Sequence, residues 1–386
     1  MIFQVIYGLI ERICTMTNKA LEKLTAQIQK TYGNELVSFA SDKTDRDITV
    51  HSTGSLMLDL AIGGSERAGI PEGRIMEVYG PESQGKTTLC LLMIAARQRE
   101  EDMKEEEDSS YQKKYCIFVD AEHALDFKLA EEYGVNLNEL IYINPETAEQ
   151  AMDVLDAYVR SGQIGLAVVD SVPAMLPSSV EQSSFEQQHM AVLARFMSGV
   201  MQKITGPVFK NKVTLIFINQ VREAIGKFSP VGTPEVTPGG RALKYYASVR
   251  MSVRRGDLIK EAGEQIGHSM KIRLVKNKIA VPYKEANINL VYGKGIDRAD
   301  ELFQVAKKSG LIKQGGAWYT YIDEESGEII SYNGIEMRTQ GKESMIEHIR
   351  NIPQFFGDLE NKIRGIHIEA DDMDEKEIAA IRDNKD

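Results

Sequence analysis

Gly80-Pro81-Glu82-Ser83-Gln84-Gly85-Lys86-Thr87-Thr88 is a complete G-x-x-x-x-G-K-S/T pattern. The apolar stretch Ile75-Met76-Glu77-Val78-Tyr79 precedes it, and Leu89-Cys90-Leu91-Leu92-Met93-Ile94-Ala95-Ala96 follows. The first reads as a buried strand and the second as a helix, the context in which this spacing has one well-understood use. Gly80 and Gly85 let the loop fold round so that backbone N–H groups point at phosphate oxygens, and the helix N-terminus adds its positive dipole end. Lys86 then reaches the β- and γ-phosphates, and the Thr87 hydroxyl is placed to ligate Mg²⁺. The pattern implies a nucleoside triphosphate site.

The 386 residues leave room for one large core plus smaller flanking domains. A hydrophobic content of 42% and a charged content of 27% are ordinary for a soluble globular chain. Cys14, Cys90 and Cys116 are an odd count with no pairing pattern, which points to free thiols of a cytoplasmic protein. No run reaches membrane-spanning length. The apolar opening Met1–Ile10 lacks a basic flank and a small-residue cleavage site, and Met16 is an equally good start.

The formal net charge of −11 argues against a nucleic-acid partner until its distribution is read. Between Arg241 and Lys284 there are eleven Lys/Arg against three acids, a local excess of +8. The acid lies elsewhere, in the run from Glu100 to Asp108 and in Glu369–Asp386, which holds eight acids against three bases. Such runs read as solvated loops or tails. The basic stretch suits DNA or a structural charge network equally well.

Residues 17–32 are an amphipathic helix candidate with Leu21, Leu24, Ile28 and Tyr32 at helical spacing, and Leu36–Ala40 reads as extended. Ile75–Tyr79, Tyr115–Asp120, Ile164–Asp170 and Val213–Asn219 are short, nearly unbroken apolar runs with helical segments between them. That is the signature of parallel strands buried on both faces, hence an α/β fold with a mostly parallel central sheet. Polar residues follow the runs: Asp120-Ala121-Glu122-His123, Asp170-Ser171 and Asn219-Gln220. The carboxyl ends of strands are where such sheets place their chemistry. Phosphoryl transfer needs a cradle, metal support and a group that orients water. Lys86 and Thr87 suit the first, Asp170 the second through a metal-bound water, and Glu122 is the candidate base, with Gln220 placed to sense the γ-phosphate.

At this point the chain resembles the bacterial RecA recombinase family from about Thr17 to the acidic tail. The segments that carry the resemblance are Ser52–Leu56, Gly80–Thr88, Asp120–Asp126, Val169–Val172, Ile216–Gln220, Tyr246–Arg250, Val275–Ala280 and Gly316–Tyr319. The resemblance implies a DNA-dependent ATPase using ATP and Mg²⁺. It also implies helical filaments on single-stranded DNA, strand exchange with a homologous duplex in DNA repair, and stimulation of SOS repressor self-cleavage. The layout implied is an N-terminal helix and oligomerisation strand (1–44), a RecA-like ATPase and DNA-binding core (45–297), a small α+β C-terminal domain (298–368) and an acidic tail (369–386). Glu122 corresponds to the catalytic glutamate, Gln220 to the switch that couples γ-phosphate to DNA, and Asp126 and Tyr292 to adenine contacts. Lys276 and Lys278 correspond to lysines that complete a neighbour's ATP site; the Met270–Val275 alternation places them at a strand end on the edge of the sheet, facing one way. Arg195, Ser198, Arg222, Gly239 and Gly240 correspond to DNA-backbone contacts, and Met190 and Ile225 to apolar wedges between base triplets. The expected DNA loops lie at about 180–190 and 221–240. Departures from the family pattern are Leu129 for an adenine-stacking aromatic, Gln202 for an arginine, Glu223-Ala224 in the second loop, and the acidic insertion after the phosphate-loop helix. A ring-forming helicase-type motor and a nucleotide-gated scaffold are the alternative classes.

Overall fold

The computed structural model describes residues 19–33, 37, 48–65, 67–181, 189–223, 235–261, 263–323 and 326–365. The chain divides into two compact units, Met1–Ile48 and Thr49–Asp386. In the first, helix α1 covers 19–32, and Gln29 Nε2 donates to the Val37 carbonyl at 2.7 Å. The extended stretch expected at 36–40 lies, Val37 apart, outside the described residues, as do Cys14, Met16 and the acidic tail.

The second unit begins β1 (Val50–His51), α2 (Leu56–Gly63), β2 (Ile70–Pro71), β3 (Ile75–Gly80), α3 (Lys86–Glu107), β4 (Tyr115–Asp120), α4 (Phe127–Glu132) and β5 (Leu140–Ile143). It continues through α5 (Ala148–Ser161), β6 (Ile164–Asp170), α6 (Ser178–Glu181), α7 (His189–Lys210), β7 (Thr214–Gln220), β8 (Arg222–Glu223), β9 (Glu235–Val236) and α8 (Ala242–Tyr246). Then come β10 (Val249–Glu261), β11 (Glu264–Asn277), β12 (Glu285–Val291), β13 (Gly295–Ile296) and α9 (Arg298–Ser309). The chain closes with β14 (Ile312–Gly315), β15 (Trp318–Tyr321), β16 (Ser331–Tyr332), β17 (Ile335–Glu336), β18 (Arg338–Gln340), α10 (Lys342–Asn351) and α11 (Pro353–Arg364). The four apolar runs read as strands are β3, β4, β6 and β7, within one residue at each end.

These strands belong to a nine-stranded sheet in the order β13-β12-β11-β10-β3-β7-β6-β4-β5. From β10 to β5 every neighbouring pair is parallel, while β11, β12 and β13 extend it antiparallel. The mixed α/β sheet expected from the sequence is therefore present. Alternate residues of each strand feed two separate cores. Met76, Val78, Ile216 and Ile218 pack with α2 and α3, whereas Ile75, Leu215 and Phe217 pack with α5 and α7. A third core joins α9, α10 and α11 to the small sheet β14-β15-β18 and takes in Leu56 from α2. Ser55 caps α2 and also donates to Glu301 of α9, whose other oxygen accepts the Leu56 N–H at 2.7 Å. Burial lifts the Glu301 carboxyl to about 7.

β11 lies between β10 and β12, but β12 pairs with it only over Gly267–Arg273, so at the strand end Lys276 has β10 on one side and no strand on the other, as expected of a strand end at the sheet's edge. One expectation needs correction. The acidic run after the phosphate-loop helix is not a solvated loop: α3 is 22 residues long and carries the run to Glu107. Glu101 is fully buried, pairs with buried Arg97 at 2.8 Å and accepts from Tyr111 Oη and Lys114 N at 2.8 Å. Glu100 holds Nδ1 of buried His51 at 2.6 Å, and Asp102 pairs with Lys113. A run of like charge extends a helix when its inward members find cations. Glu101→Ala strands Arg97 without that partner and is expected to destabilise the fold by about 3–5 kcal/mol in urea unfolding. Exposed Glu106→Ala in the same run is expected to have a much smaller effect.

Candidate nucleotide and DNA sites

The strands β3, β7, β6 and β4 are consecutive neighbours, so the residues at their carboxyl ends form one row. Gly80 ends β3, and a Cβ there would stand 2.1 Å from the Val253 carbonyl oxygen of β10. Its role is close strand approach; the left-handed backbone needed to turn the loop belongs to Ser83 (φ 58°) and Gly85 (φ 86°). Gly85 opens α3, whose N-terminus carries no side-chain cap.

Lys86 is 7% exposed, and its ammonium donates to the Pro81 carbonyl at 2.6 Å. Burial lowers its pKa, against the pull of Asp170, Glu122 and Glu82. A buried cation bonded to a neutral carbonyl beside an uncapped helix N-terminus fits an incoming polyphosphate. Glu82 and Ser83 are exposed, Thr87 and Thr88 half-buried on the first turn of α3. The Gln84 side chain accepts the Arg255 N–H at 2.6 Å and donates to the Glu82 carbonyl at 3.1 Å.

Thr87 Oγ1 donates to Asp170 Oδ2 at 2.6 Å, so the two residues expected to support the metal are in direct contact. Burial first, then the neighbouring Glu122 and Asp120 carboxylates, push Asp170 up to about 6. Beside it Ser171 Oγ donates to Glu122 Oε1, and Gln220 Nε2 donates to the same oxygen at 3.3 Å. Glu122, Gln220, Asp170, Thr87 and Lys86 are thus one constellation at the ends of β4, β7, β6 and β3. Asp120 shapes the turn that presents Glu122. Its carboxylate accepts the Ala124 and Leu125 N–H groups at 3.2 and 3.0 Å and the Tyr142 hydroxyl at 3.0 Å.

Of the expected adenine contacts, Asp126 is exposed and caps α4 by accepting the Leu129 N–H at 3.1 Å. Tyr292 is 43% exposed, and its hydroxyl accepts from Arg255 at 3.0 Å and Gln265 at 2.8 Å. Since Arg255 N also holds Gln84, Tyr292 is joined to the phosphate loop through one residue.

Lys276 and Lys278 lie at the other end of the sheet. Arg250 pairs with both Glu77 and Lys276, and Lys278 N donates to the Ser248 carbonyl, one row below the start of β10. From the Lys278 level to Gly80 is five residues of β3, about 16 Å along a strand, and from the Lys276 level three residues, about 10 Å, with β10 between. The two lysines do not share an environment. Lys276 Nζ donates to the Lys244 and Tyr245 carbonyls at 2.6 and 3.0 Å, and burial lowers its pKa to about 8, while Lys278 is exposed beyond the strand end.

Arg195 and Ser198 are on α7, and Arg222 is exposed on β8. A Cβ added at Gly239 would meet Val172 Cγ1, in the turn after β6, at 2.9 Å and Met197 of α7 at 3.3 Å, and one at Gly240 would meet Ala194 Cβ of α7 at 2.9 Å. Antiparallel pairing of Arg222 with Val236 and Glu223 with Glu235 joins the feet of the second loop. Ile225 and the side chain of Met190 lie outside the described residues. A cavity of about 450 Å³ between α5 and α7 is lined by Arg195, Asp153, Asp156, Phe196 and Lys203, with no residue of the phosphate loop. Ser171 and Asn219 were placed at strand ends without a role, and Glu77 was missed; a lone acid inside an apolar strand was the available signal for it.

The fold and this row of residues define a P-loop nucleoside triphosphatase with an appended antiparallel extension. The RecA N-terminal domain family matches residues 19–297. The RecA proteins of Cereibacter sphaeroides and Ruminococcus albus are 41% and 42% identical over 352 and 346 residues, covering 90% of this chain and 94% and 80% of theirs. That of Colwellia psychrerythraea is 40% identical over 350 residues, 91% of this chain and 93% of its own length. The chain belongs to the RecA family, and with that membership the ATP-dependent DNA recombinase and repair activity expected from the sequence stands. Among the described residues no helix is long and apolar enough to cross a membrane.

The raised Asp170 pKa has a consequence for the ligand-free protein. The folded state holds this proton more tightly than the unfolded chain, so the group favours folding below about pH 4 and that contribution is lost as pH rises through about 6. Asp170→Asn is therefore expected to raise the Tm at neutral pH, with the gain disappearing near pH 4 in a pH series of thermal melts.

Proposed function

We propose that this recombinase binds ATP and Mg²⁺ at the strand-end row and hydrolyses ATP within a helical filament on single-stranded DNA. The observation that carries the reading is the convergence of Lys86, Thr87, Asp170, Glu122 and Gln220 on one cradle. Backbone amides of Gly80–Thr88 and the Lys86 ammonium hold the phosphates, and Thr87 with Asp170 support the cation. A bound cation favours ionised Asp170 and supplies the charge that the buried carboxylate lacks. Glu122 orients and deprotonates the attacking water, its carboxylate held by Ser171 and Gln220. Gln220 faces the γ-phosphate and reports its presence to the DNA loops. Asp126 and Tyr292 flank the adenine.

Arg195, Ser198, Arg222 and the Gly239-Gly240 amides contact the DNA backbone, with Met190 and Ile225 between base triplets. Exposed Leu21, Leu24 and Tyr32 on α1 support docking of residues 1–44 on the next subunit, a heterologous contact that does not close. The partition into residues 45–297, 298–368 and 369–386, pairing with homologous duplex and action on an SOS repressor complete the reading. Lys276 and Lys278 are too far along the sheet to serve their own phosphate loop, which supports a role in trans at a neighbour's γ-phosphate.

Lys86→Ala is expected to lower ATP hydrolysis by about 10² or more, since the cation facing the β/γ-phosphates is gone. Glu122→Gln is expected to retain ATP and a slowly dissociating filament with little turnover. Normal single-strand-stimulated hydrolysis by either variant, free of contaminating ATPase, would remove the assignment. For the trans role, subunits lacking both lysines are to be mixed with Glu122→Gln subunits. Co-assembled filaments should regain part of a loss of about 10³–10⁵. Activity equal to the sum of the separate proteins would refute it.

A further inference from the structure

Glu77 is fully buried in β3, in a strand otherwise without charge. An isolated carboxylate there is strongly disfavoured, so its partners define what it does. One oxygen accepts from Arg250 Nε of β10, and that guanidinium stacks 4.7 Å from the Tyr79 ring centroid. The other oxygen accepts from Asn219 Nδ2 of β7 at 2.9 Å. Asn219 is fully buried as well. Its amide nitrogen also donates to the Pro238 carbonyl at 3.2 Å, and its Oδ1 accepts the Gln220 N–H at 3.0 Å.

Asn219 therefore spends both amide hydrogens and its carbonyl on three different segments. These segments are the ones that the function must connect. Gln220 reaches Glu122 in the strand-end row. Pro238 leads directly into Gly239 and Gly240, which are packed without clearance against Val172 and Ala194. A shift of either segment is carried to the other, because a buried amide cannot exchange its partners for water and the glycines have no slack to absorb it.

We infer that Glu77 and Asn219 are positioning residues that couple the γ-phosphate site to the foot of the second DNA loop. Asn219 ties the Gln220 backbone to the Pro238 carbonyl, and Glu77, neutralised by Arg250, keeps the Asn219 amide turned toward both. Neither residue touches nucleotide or DNA. The inference rests on Gln220 facing the γ-phosphate and on Gly239-Gly240 contacting DNA, as proposed above.

The test uses the full chain. Affinity for a labelled single-stranded oligonucleotide is measured with and without a non-hydrolysable ATP analogue, beside analogue affinity, thermal stability and ATP hydrolysis with and without DNA. Asn219→Ala is expected to bind the analogue within about threefold of the unmodified protein. The analogue-induced gain in DNA affinity, and the DNA stimulation of hydrolysis, should each fall at least about tenfold, the range of a typical coupling energy. Coupling at the unmodified level, or loss of analogue binding together with coupling, overturns the inference.

A second pair of variants guards against a misfolded Asn219→Ala. Glu77→Leu with Arg250→Met replaces the buried ion pair by apolar groups, an exchange that folds tolerate. It removes the anchor of Asn219 and should lose coupling to the same extent. Glu77→Gln with Arg250→Met keeps an acceptor for Asn219 Nδ2 and should retain coupling within about threefold. Equal coupling in the two double variants shows that the Asn219 anchor is irrelevant and overturns the proposal. Absence of coupling in the unmodified protein overturns the reading of Gln220 and the glycines, and this inference with it.

Discussion

Strand β3 is paired in parallel on both sides, to β7 and to β10, and its backbone meets β10 so closely at Gly80 that no side chain fits there. Buried on both faces and flanked on both edges, it leaves the chain one exit, at its carboxyl end. The phosphate loop starts at that exit, and α3 returns over one face with Lys86 in its first turn. Because parallel neighbours share one direction, the ends of β4, β6 and β7 come to the same side without any further device. The reactive row is a by-product of sheet polarity. Lys276 and Lys278 follow from the same rule in reverse, since an antiparallel β11 ends at the opposite side.

Electrostatically the row is anion-rich. Asp170, Glu122 and Glu82 bear on the Lys86 ammonium, Asp170 is raised by burial and by its Glu122 and Asp120 neighbours, and Glu122 accepts from the hydroxyl of Ser171 and the amide of Gln220. The basic stretch read between Arg241 and Lys284 does not form one patch. Arg250 is spent on Glu77, Lys276 on the carbonyl end of α8, and Arg255 on Gln84 and Tyr292. Only the Arg250 charge among these three meets a carboxylate, while Arg241, Arg254, Lys260, Lys271, Arg273, Lys278 and Lys284 stay exposed, as do Arg195 and Arg222.

The parallel strands, the phosphate loop and the carboxylates at the strand ends were legible because each rests on a local rule: apolar runs buried on both faces, glycine spacing, and polar residues where a strand stops. Gly80 was read as serving loop curvature; what requires glycine there is the close approach of the neighbouring strand. The acidic run after Ala96 was misread, since charge counting cannot tell an outward Glu106 from an inward Glu101 until Arg97, Tyr111 and Lys114 are placed around it.

Sequence alone thus determined the class of chemistry, because a phosphate cradle is built from backbone groups whose placement depends on a few contiguous residues. It also determined the polarity of the central sheet, through runs too apolar to face water. Only tertiary structure decided which charges are paired and which are free. Glu77 and Asn219 are 142 positions apart and meet solely because β3 and β7 are neighbours. Ser171 reaches Glu122 across 49 positions for the same kind of reason. Pairing of buried charge depends on strand order, and strand order is a property of the whole fold rather than of any segment.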